Sequence, residues 1–141
     1  MTSEQKDLVR SSFACLAPKA DLVAARFYFL LFEMNPALRP MFQVSLKFQK
    51  VKFMDMLGSA LESLDNLDHL VTVVWQLGKR HAGYGVKDEH YAVVREALLQ
   101  SLEEELGEQY TGETGDAWRE LYDLMALAMR QAAAEGAVPR P

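Results

Sequence analysis

The placement of proline restricts the fold of this chain more than any other feature. Proline interrupts helices because it lacks an N–H and its ring clashes with the preceding turn. The long proline-free stretches carry apolar residues at the spacing of amphipathic helices rather than the alternation of strands. An all-α fold is therefore predicted. The five prolines among the 141 residues stand where helices could begin or end: Pro18, Pro36, Pro40, Pro139 and Pro141.

The apolar periodicity predicts six substantial helices and one short helical turn. Thr2 and Gln5 fit a capping box at the start of the first helix. Asp88 is expected to cap the fifth substantial helix and Gly107 to end it. The last helix contains residues 118–132. The other predicted segments are residues 3–15, 19–34, 35–42, 45–64, 67–81 and 88–106.

Three local features lead to further expectations. Gly58 lies inside a predicted helix, where glycine costs about 1 kcal/mol relative to alanine, so another helix is expected to approach closely there. Cys15 is expected to be a small buried side chain of the first helix. Residues 71–75, with the sequence VTVVW, have the composition of a strand, which competes with the helix predicted over residues 67–81.

The length and composition indicate one domain. Half of the residues are hydrophobic and a quarter are charged, which is ordinary for a globular chain. A chain of 141 residues can bury one sizeable core but not two. Residues 1–135 are predicted to form the domain, and residues 136–141 are predicted to be a disordered tail.

The charge pattern argues against two classes of partner. A net charge of −5 with mixed signs gives no basic surface for nucleic acid or an anionic membrane. Lys47, Lys50 and Lys52 cluster, but Asp55 follows, and such a cluster is usually a solvated helix face. One cysteine cannot form an intramolecular disulfide, and no apolar run resembles a signal or membrane span. A soluble, cytoplasmic monomer or weak homodimer is predicted.

Among the three histidines, His81 has the sequence context of a metal ligand. It ends an apolar helical face one turn after Leu77, whose carbonyl could accept the Nδ1 proton and leave Nε2 for a metal. Without a cysteine pair, a second spaced histidine or a carboxylate pattern, His81 cannot hold zinc or non-haem iron. One histidine does suffice for haem iron, because the porphyrin supplies four other ligands. His69 and His90 are interpreted as surface residues at helix ends.

Two segments resemble a known family. Residues 29–42, FLLFEMNPALRPMF, are similar to the second-to-third helix region of globins. Residues 77–86, LGKRHAGYGV, resemble the proximal histidine region of bacterial single-domain haemoglobins, flavohaemoglobins and neuroglobin. The resemblance covers about residues 3–131 and implies a globin fold, a 3-over-3 helical sandwich around haem b (iron protoporphyrin IX). Further matches are His90, Tyr91, Val94, Trp118 and Tyr122.

The resemblance implies a role for four residues on the distal side, where a gas ligand binds. Phe42 matches the phenylalanine that stacks on the haem. Gln49 matches the distal gate position, and Phe53 the next distal residue, one helical turn later. Tyr28 matches the distal position of the second helix. For Tyr28 alone, a core tyrosine bonded to the main chain is the alternative, and for Gln49 a partly exposed helix residue.

The same resemblance implies the proximal side and the haem edge. His81 matches the proximal iron ligand, and Val86 and Tyr91 would line the proximal side. Lys52 and Arg80 would lie near the haem propionates. No histidine matches the distal position, so bis-histidine coordination is not expected. Ala133 stands where flavohaemoglobins carry a glutamate of the proximal network, which argues against a peroxidase-like iron.

Four functions follow as hypotheses. The first is reversible binding of O2, as a carrier, store or scavenger, by a five-coordinate iron that also takes CO and NO. The second is NO dioxygenase activity, which needs a separate reductase because no reductase domain is present in this sequence. The third is a gas sensor or a binder of sulfide, although no output domain accompanies the helices. The fourth is a haem-free helical interaction module.

Overall fold

The helices of the computed structural model follow the predicted order. The structure describes residues 1–42, 45–83 and 86–136. For Leu67, residues 79–83 and residues 135–136 it describes the backbone but not the side chains. No strand occurs in these ranges. Short 3-10 turns lie at Ala17–Lys19, Pro36–Met41 and Gly107–Gln109. The α-helices are α1 (Ser3–Leu16), α2 (Ala20–Met34), α3 (Leu46–Glu62), α4 (Leu67–Gly83), α5 (Asp88–Leu106) and α6 (Gly112–Gly136).

The helix ends lie where local chemistry satisfies their free backbone groups. The predicted capping box is confirmed, since the Gln5 N–H donates to Thr2 Oγ1 at 3.1 Å and the Thr2 N–H donates to Gln5 Oε1 at 2.9 Å. Gly107 ends α5 with a φ of +58°, a conformation that glycine adopts without strain. α6 continues through Gly136, and residues 137–141 of the predicted tail lie outside the described residues.

The start of α5 differs from the prediction. Lys87 occupies the capping position, and Asp88 is already the first helical residue. The Lys87 N–H donates to Nδ1 of His90 at 2.9 Å, so a histidine side chain three residues into the segment does the capping. The Asp88 carboxylate still lies in the first turn, where the helix dipole favours negative charge.

Among the glycines that the structure describes, the tight approach of a second helix occurs at Gly78, not at Gly58. A Cβ atom built on Gly78 would lie 2.5 Å from the carbonyl oxygen of Met129 and 2.6 Å from its Cα. α4 therefore rests directly on the backbone of α6. A Cβ atom on Gly58 would face only the ring of Phe13, at an ordinary 3.9 Å. The expectation for Gly58 was wrong because a helical glycine in a sequence does not reveal what faces it.

A buried hydrogen bond joins α1 to α6. The indole N–H of Trp118 donates to Ser12 Oγ at 2.8 Å, and Ser12 Oγ donates to the Leu8 carbonyl at 2.7 Å. The buried face of α1 thus runs through Ser12 and Leu16. Cys15 is exposed, contrary to expectation, because it precedes Leu16 by one position and each helical position rotates the side chain by about 100°.

The strand-like composition of residues 71–75 does not prevent a helix there. Leu70 and Val74 are buried four residues apart, whereas Val71 and Val73 are exposed. Burial at helical spacing has decided the local structure over intrinsic strand preference. α4 in turn forms one wall of a large cavity, together with α2, α3, α5, α6 and the Pro36–Met41 turn. No helix among the described residues is both long enough and apolar enough to span a bilayer.

Candidate functional site

A cavity of about 610 Å³ lies among the helices. Cofactor sites are typically clefts of about 300–1,000 Å³ lined mainly by apolar side chains and a few polar groups, and this cavity has that character. It contains eight residues predicted for the site: Tyr28, Phe42, Gln49, Lys52, Phe53, Leu77, Val86 and Tyr91. Lining residues not predicted for the site include Phe27, Leu31, Leu38, Met41, Met56, Val74, His90 and Met125.

Four aromatic rings form one wall of the cavity. The rings of Phe27 and Phe53 stack in parallel, with centroids 4.2 Å apart and an angle of 6°. Tyr28 meets Phe42 edge to face at 5.5 Å and Phe53 edge to face at 5.9 Å. Such pairs hold rings in fixed relative orientations. The Tyr28 side chain is therefore positioned by rings from α3 and from the end of the Pro36–Met41 turn, which limits where its hydroxyl can point.

The Tyr28 hydroxyl interacts with Gln49 across the cavity wall. Only 4% of Tyr28 is exposed, and this burial raises its pKa to about 12, while a hydrogen bond with the Gln49 side chain acts in the opposite direction. Burial is the larger of the two effects, so the pKa of the Tyr28 hydroxyl stays above its ordinary value and the hydroxyl is protonated at neutral pH.

His90 contributes to the cavity, although the sequence indicated a surface residue. Its Nδ1 accepts the hydrogen bond from the Lys87 N–H. In a neutral imidazole the other nitrogen then carries the proton, so Nε2 is a donor rather than a free metal ligand. To bind a metal, His90 would have to give up the cap of α5. Its partial burial has no signal in the sequence apart from its place next to Tyr91.

His81 lies in the last turn of α4, and its side chain is outside the described residues, as is that of Arg80. The register of α4 nevertheless relates position 81 to the cavity. Val74 and Leu77 both line the cavity, and positions 74, 77 and 81 recur at the three- and four-residue spacing of one helix face. The predicted relation between Leu77 and His81 at one-turn spacing is compatible with this register.

The floor of the cavity is formed by α5 and α6. The hydroxyl of Tyr122 donates to the carbonyl oxygen of Tyr91 at 2.7 Å in a buried position, which ties the two helices together beneath the cavity. Burial raises the pKa of Tyr122, so this donor stays protonated at neutral pH. Met125, Ala126 and Met129 complete the floor. Their helical spacing was visible in the sequence but is the same as that of ordinary core residues.

A positively charged side chain, that of Arg130, lies close to the Tyr91 ring. The guanidinium of Arg130 lies 5.2 Å from the centre of the Tyr91 ring and donates to the Asp88 carbonyl at 3.3 Å. Ala133, the position matched to the flavohaemoglobin glutamate, is half-buried. Burial raises the pKa of Tyr91 and the charge of Arg130 lowers it. The described surroundings of Tyr91 thus bring a positive charge close to its ring.

Lys52 lies at the rim of the cavity. It contributes to the lining, while its ammonium lies 4.8 Å from the ring centre of exposed Phe48. A lysine with its stem along a cavity wall and its charge at the solvent edge is suited to an anionic group at the mouth. The position of Lys52 near the haem propionates, which the resemblance implies, stays a prediction.

The fold and the cavity define a haem-binding helical protein of the globin class. The sequence pattern of the Globin family matches residues 25–129, and the chain belongs to this family. The flavohemoprotein of Halalkalibacterium halodurans is 30% identical over 129 residues, which cover 89% of this chain and 31% of that protein. This chain thus spans less than a third of the flavohemoproteins it matches.

Two further relatives are matched over nearly their whole length. Neuroglobin-1 of Oncorhynchus mykiss is 30% identical in an alignment of 143 positions that covers 92% of this chain and 90% of that protein. The solved structure of an engineered carbene transferase, made from a candidate nitric oxide dioxygenase of Rhodothermus marinus, is 30% identical. It superposes with a TM-score of 0.86 over 96% of this chain and 94% of the other. The predicted globin fold is confirmed.

Haem b is the cofactor of this family, and the residues present fit it. The cavity is large and mostly apolar, as a porphyrin face requires, and a lysine lies at its rim, where the propionates would be solvated. The described residues contain no group of three or more potential metal-ligating side chains that could hold a bare ion. The predicted cofactor is confirmed by family membership, while the roles of single residues belong to the proposal below.

Proposed function

We propose that this protein binds O2 reversibly through a haem whose iron is held by His81 alone on the protein side, with Tyr28 and Gln49 as the distal pair. The observation that supports this proposal is that a buried tyrosine and a glutamine from two separate helices line the same mostly apolar cavity. The haem supplies the ferrous iron that takes a diatomic gas. CO and NO are ligands of the same class, and sulfide is a further candidate. The single cysteine supports a cytoplasmic location.

Tyr28 would act by donating a hydrogen bond from its hydroxyl to the gas. O2 at a ferrous centre carries partial negative charge, and a hydrogen bond to a charged acceptor is worth about 1.5–3 kcal/mol. This corresponds to about 10- to 100-fold in affinity, expressed mainly as slower dissociation. The raised pKa keeps the hydroxyl protonated, so the donor is present across the neutral pH range.

Replacing Tyr28 by phenylalanine tests this role. The ring and its edge-to-face contacts remain, and only the hydroxyl is lost. We expect O2 to dissociate about 10- to 100-fold faster, since the donor contributes about 1.5–3 kcal/mol. Stopped-flow mixing of the oxygenated protein with CO measures the rate. Tyr110→Phe, the same change outside the cavity, is the control and should leave the rate unchanged. An unaltered rate in Tyr28→Phe would remove the basis for the distal assignment.

NO dioxygenase activity is the second candidate. In this reaction O2, NO and one electron give nitrate, and a separate reductase would supply the electron. Two relatives favour it: the flavohemoprotein, and the structure described as derived from a candidate nitric oxide dioxygenase. The same distal pair suits both functions. Sustained conversion of NO to nitrate by the haem-loaded protein, with a supplied reductase and NADH, would favour the enzyme. A single turnover followed by ferric protein would favour O2 binding.

A further inference from the structure

A patch of exposed apolar and basic side chains lies on the outer face of α3. Phe48 is 54% exposed and Val51 is 52% exposed, and the two are three positions apart on the helix. Lys47, Lys50 and Lys52 surround them in the sequence. Large apolar side chains grouped in this way on a surface mark interaction sites more often than isolated ones do. We call these five residues, from Lys47 to Lys52 without Gln49, the α3 patch.

The three lysines of the α3 patch belong to a basic segment of the sequence that ends before Asp55. No ion pair between described residues includes any of its three lysines. Residues 34–54 contain four basic residues and no acidic one, although the whole chain has a net charge of −5. The remaining residues therefore carry −9, which is −5 less the +4 of this segment. Within the sequence, positive charge is therefore concentrated in the segment that contains the α3 patch.

The α3 patch is the outer side of a wall of the cavity. Gln49, Phe53 and Met56 of the same helix line the cavity, and Lys52 belongs to both surfaces. A molecule docked on Phe48 and Val51 would therefore be separated from the cavity by one helix and its rim. The docked molecule would therefore lie next to the haem pocket without contacting it.

We propose that the α3 patch docks an acidic electron-donor protein that reduces the haem iron. This inference rests on the proposed function, because both an O2 carrier that oxidises and an NO dioxygenase need an electron from outside. An apolar centre with a charged rim is the anatomy of a transient protein interface. The unpaired lysines would steer an acidic partner toward the side of the molecule where the cavity opens and would suppress basic partners.

Reduced flavodoxin, a small acidic flavoprotein, is the probe. The ferric haem-loaded protein is mixed with it at low ionic strength, and both the second-order rate of haem reduction and the Kd by fluorescence anisotropy are measured. In Lys47→Glu/Lys50→Glu we expect the rate to fall and the Kd to rise by about tenfold or more. The difference should shrink at about 0.5 M salt, where charges are screened over a few ångströms. Phe48→Ser should weaken binding without changing the salt slope.

The control is Lys6→Glu/Arg119→Glu, which changes the net charge equally on helices α1 and α6 away from the patch. It should bind flavodoxin nearly as wild type does. Failure of wild type to bind flavodoxin, or equal losses in the two double variants, would overturn the proposal. The rate of haem reduction by dithionite and the O2 dissociation rate should be the same in the patch variants as in wild type. If the dithionite-reduced wild-type protein did not bind O2 reversibly, the proposed function would be wrong instead of the docking proposal.

Two other occupants of the α3 patch are outcomes of the same experiment. Sedimentation that shows a wild-type dimer, lost in Lys47→Glu/Lys50→Glu, would assign the patch to a second copy of this chain and reject the donor. Binding to vesicles that contain phosphatidylserine, lost in the same variant while flavodoxin reduction persists, would assign it to a membrane surface and likewise reject the donor.

Discussion

Gly78→Ala is expected to destabilise the protein by about 2–3 kcal/mol, a large share of the stability of a domain of this size. The new methyl group would lie 2.5–2.9 Å from backbone atoms of Met129, which cannot rotate away as a side chain could. α4 and α6 would have to move apart, and the loss of their packing exceeds the gain of about 1 kcal/mol that alanine brings to a helix.

Gly58→Ala is the matched control for this prediction. It is the same substitution in another helix interior, but the methyl group would meet only the Phe13 ring at 3.9 Å. We expect it to stabilise the protein by about 0.5–1 kcal/mol. Urea unfolding of the haem-loaded proteins, followed by circular dichroism at equal haem content, measures both values. If Gly78→Ala were as stable as wild type, the close contact between α4 and α6 would be wrong.

His81→Gly is expected to speed haem release by about 100-fold or more, which corresponds to about 2.7 kcal/mol. The proposed role makes this histidine the only protein ligand of the iron, so its loss leaves the haem held by the cavity walls alone. Added imidazole should restore a low haem-release rate because it can occupy the vacated position. Transfer of haem to an excess of a haem-free acceptor protein, followed by absorbance, measures the rate.

His90→Ala separates the proposed role of His81 from that of His90, whose side chain lines the cavity. Since His90 caps α5 through the Lys87 N–H, its loss should cost about 0.5–2 kcal/mol of folding stability. Haem release should change only a few-fold, and imidazole should have no effect. The opposite result, with haem lost from His90→Ala and retained by His81→Gly, would exchange the two assignments.

The sequence predicted the order of the helices because burial and capping act over short distances. Thr2 and Gln5 form their capping box within one turn, and Gly107 ends its helix locally. Residues 71–75 form a helix despite their strand-like composition. The helical spacing of the buried residues Leu70 and Val74 therefore predicts the local structure better than the strand preference of the individual residues does. The resemblance to globins supplied what periodicity could not, namely that Tyr28 and Gln49, from separate helices, share one cavity.

The errors at Gly58 and His90 have a physical origin in contacts between distant segments. Gly58 and Gly78 are alike in sequence, and only the position of Met129 distinguishes them. Cys15 was predicted to be buried because it stands in an apolar part of the sequence. It lies one position before the buried Leu16, however, so its side chain points away from the buried face of α1. His90 was assigned to the surface because nothing nearby in the sequence indicates that the start of α5 faces a cavity.

The most direct test of the account is the visible absorption spectrum of the haem-loaded protein in its ferrous state, before and after addition of CO. One protein ligand at position 81 and a distal side formed by Tyr28 and Gln49 predict a five-coordinate, high-spin ferrous haem that converts fully to the CO form. A six-coordinate, low-spin ferrous spectrum would mean that a second side chain of this chain binds the iron, and it would contradict the open distal site.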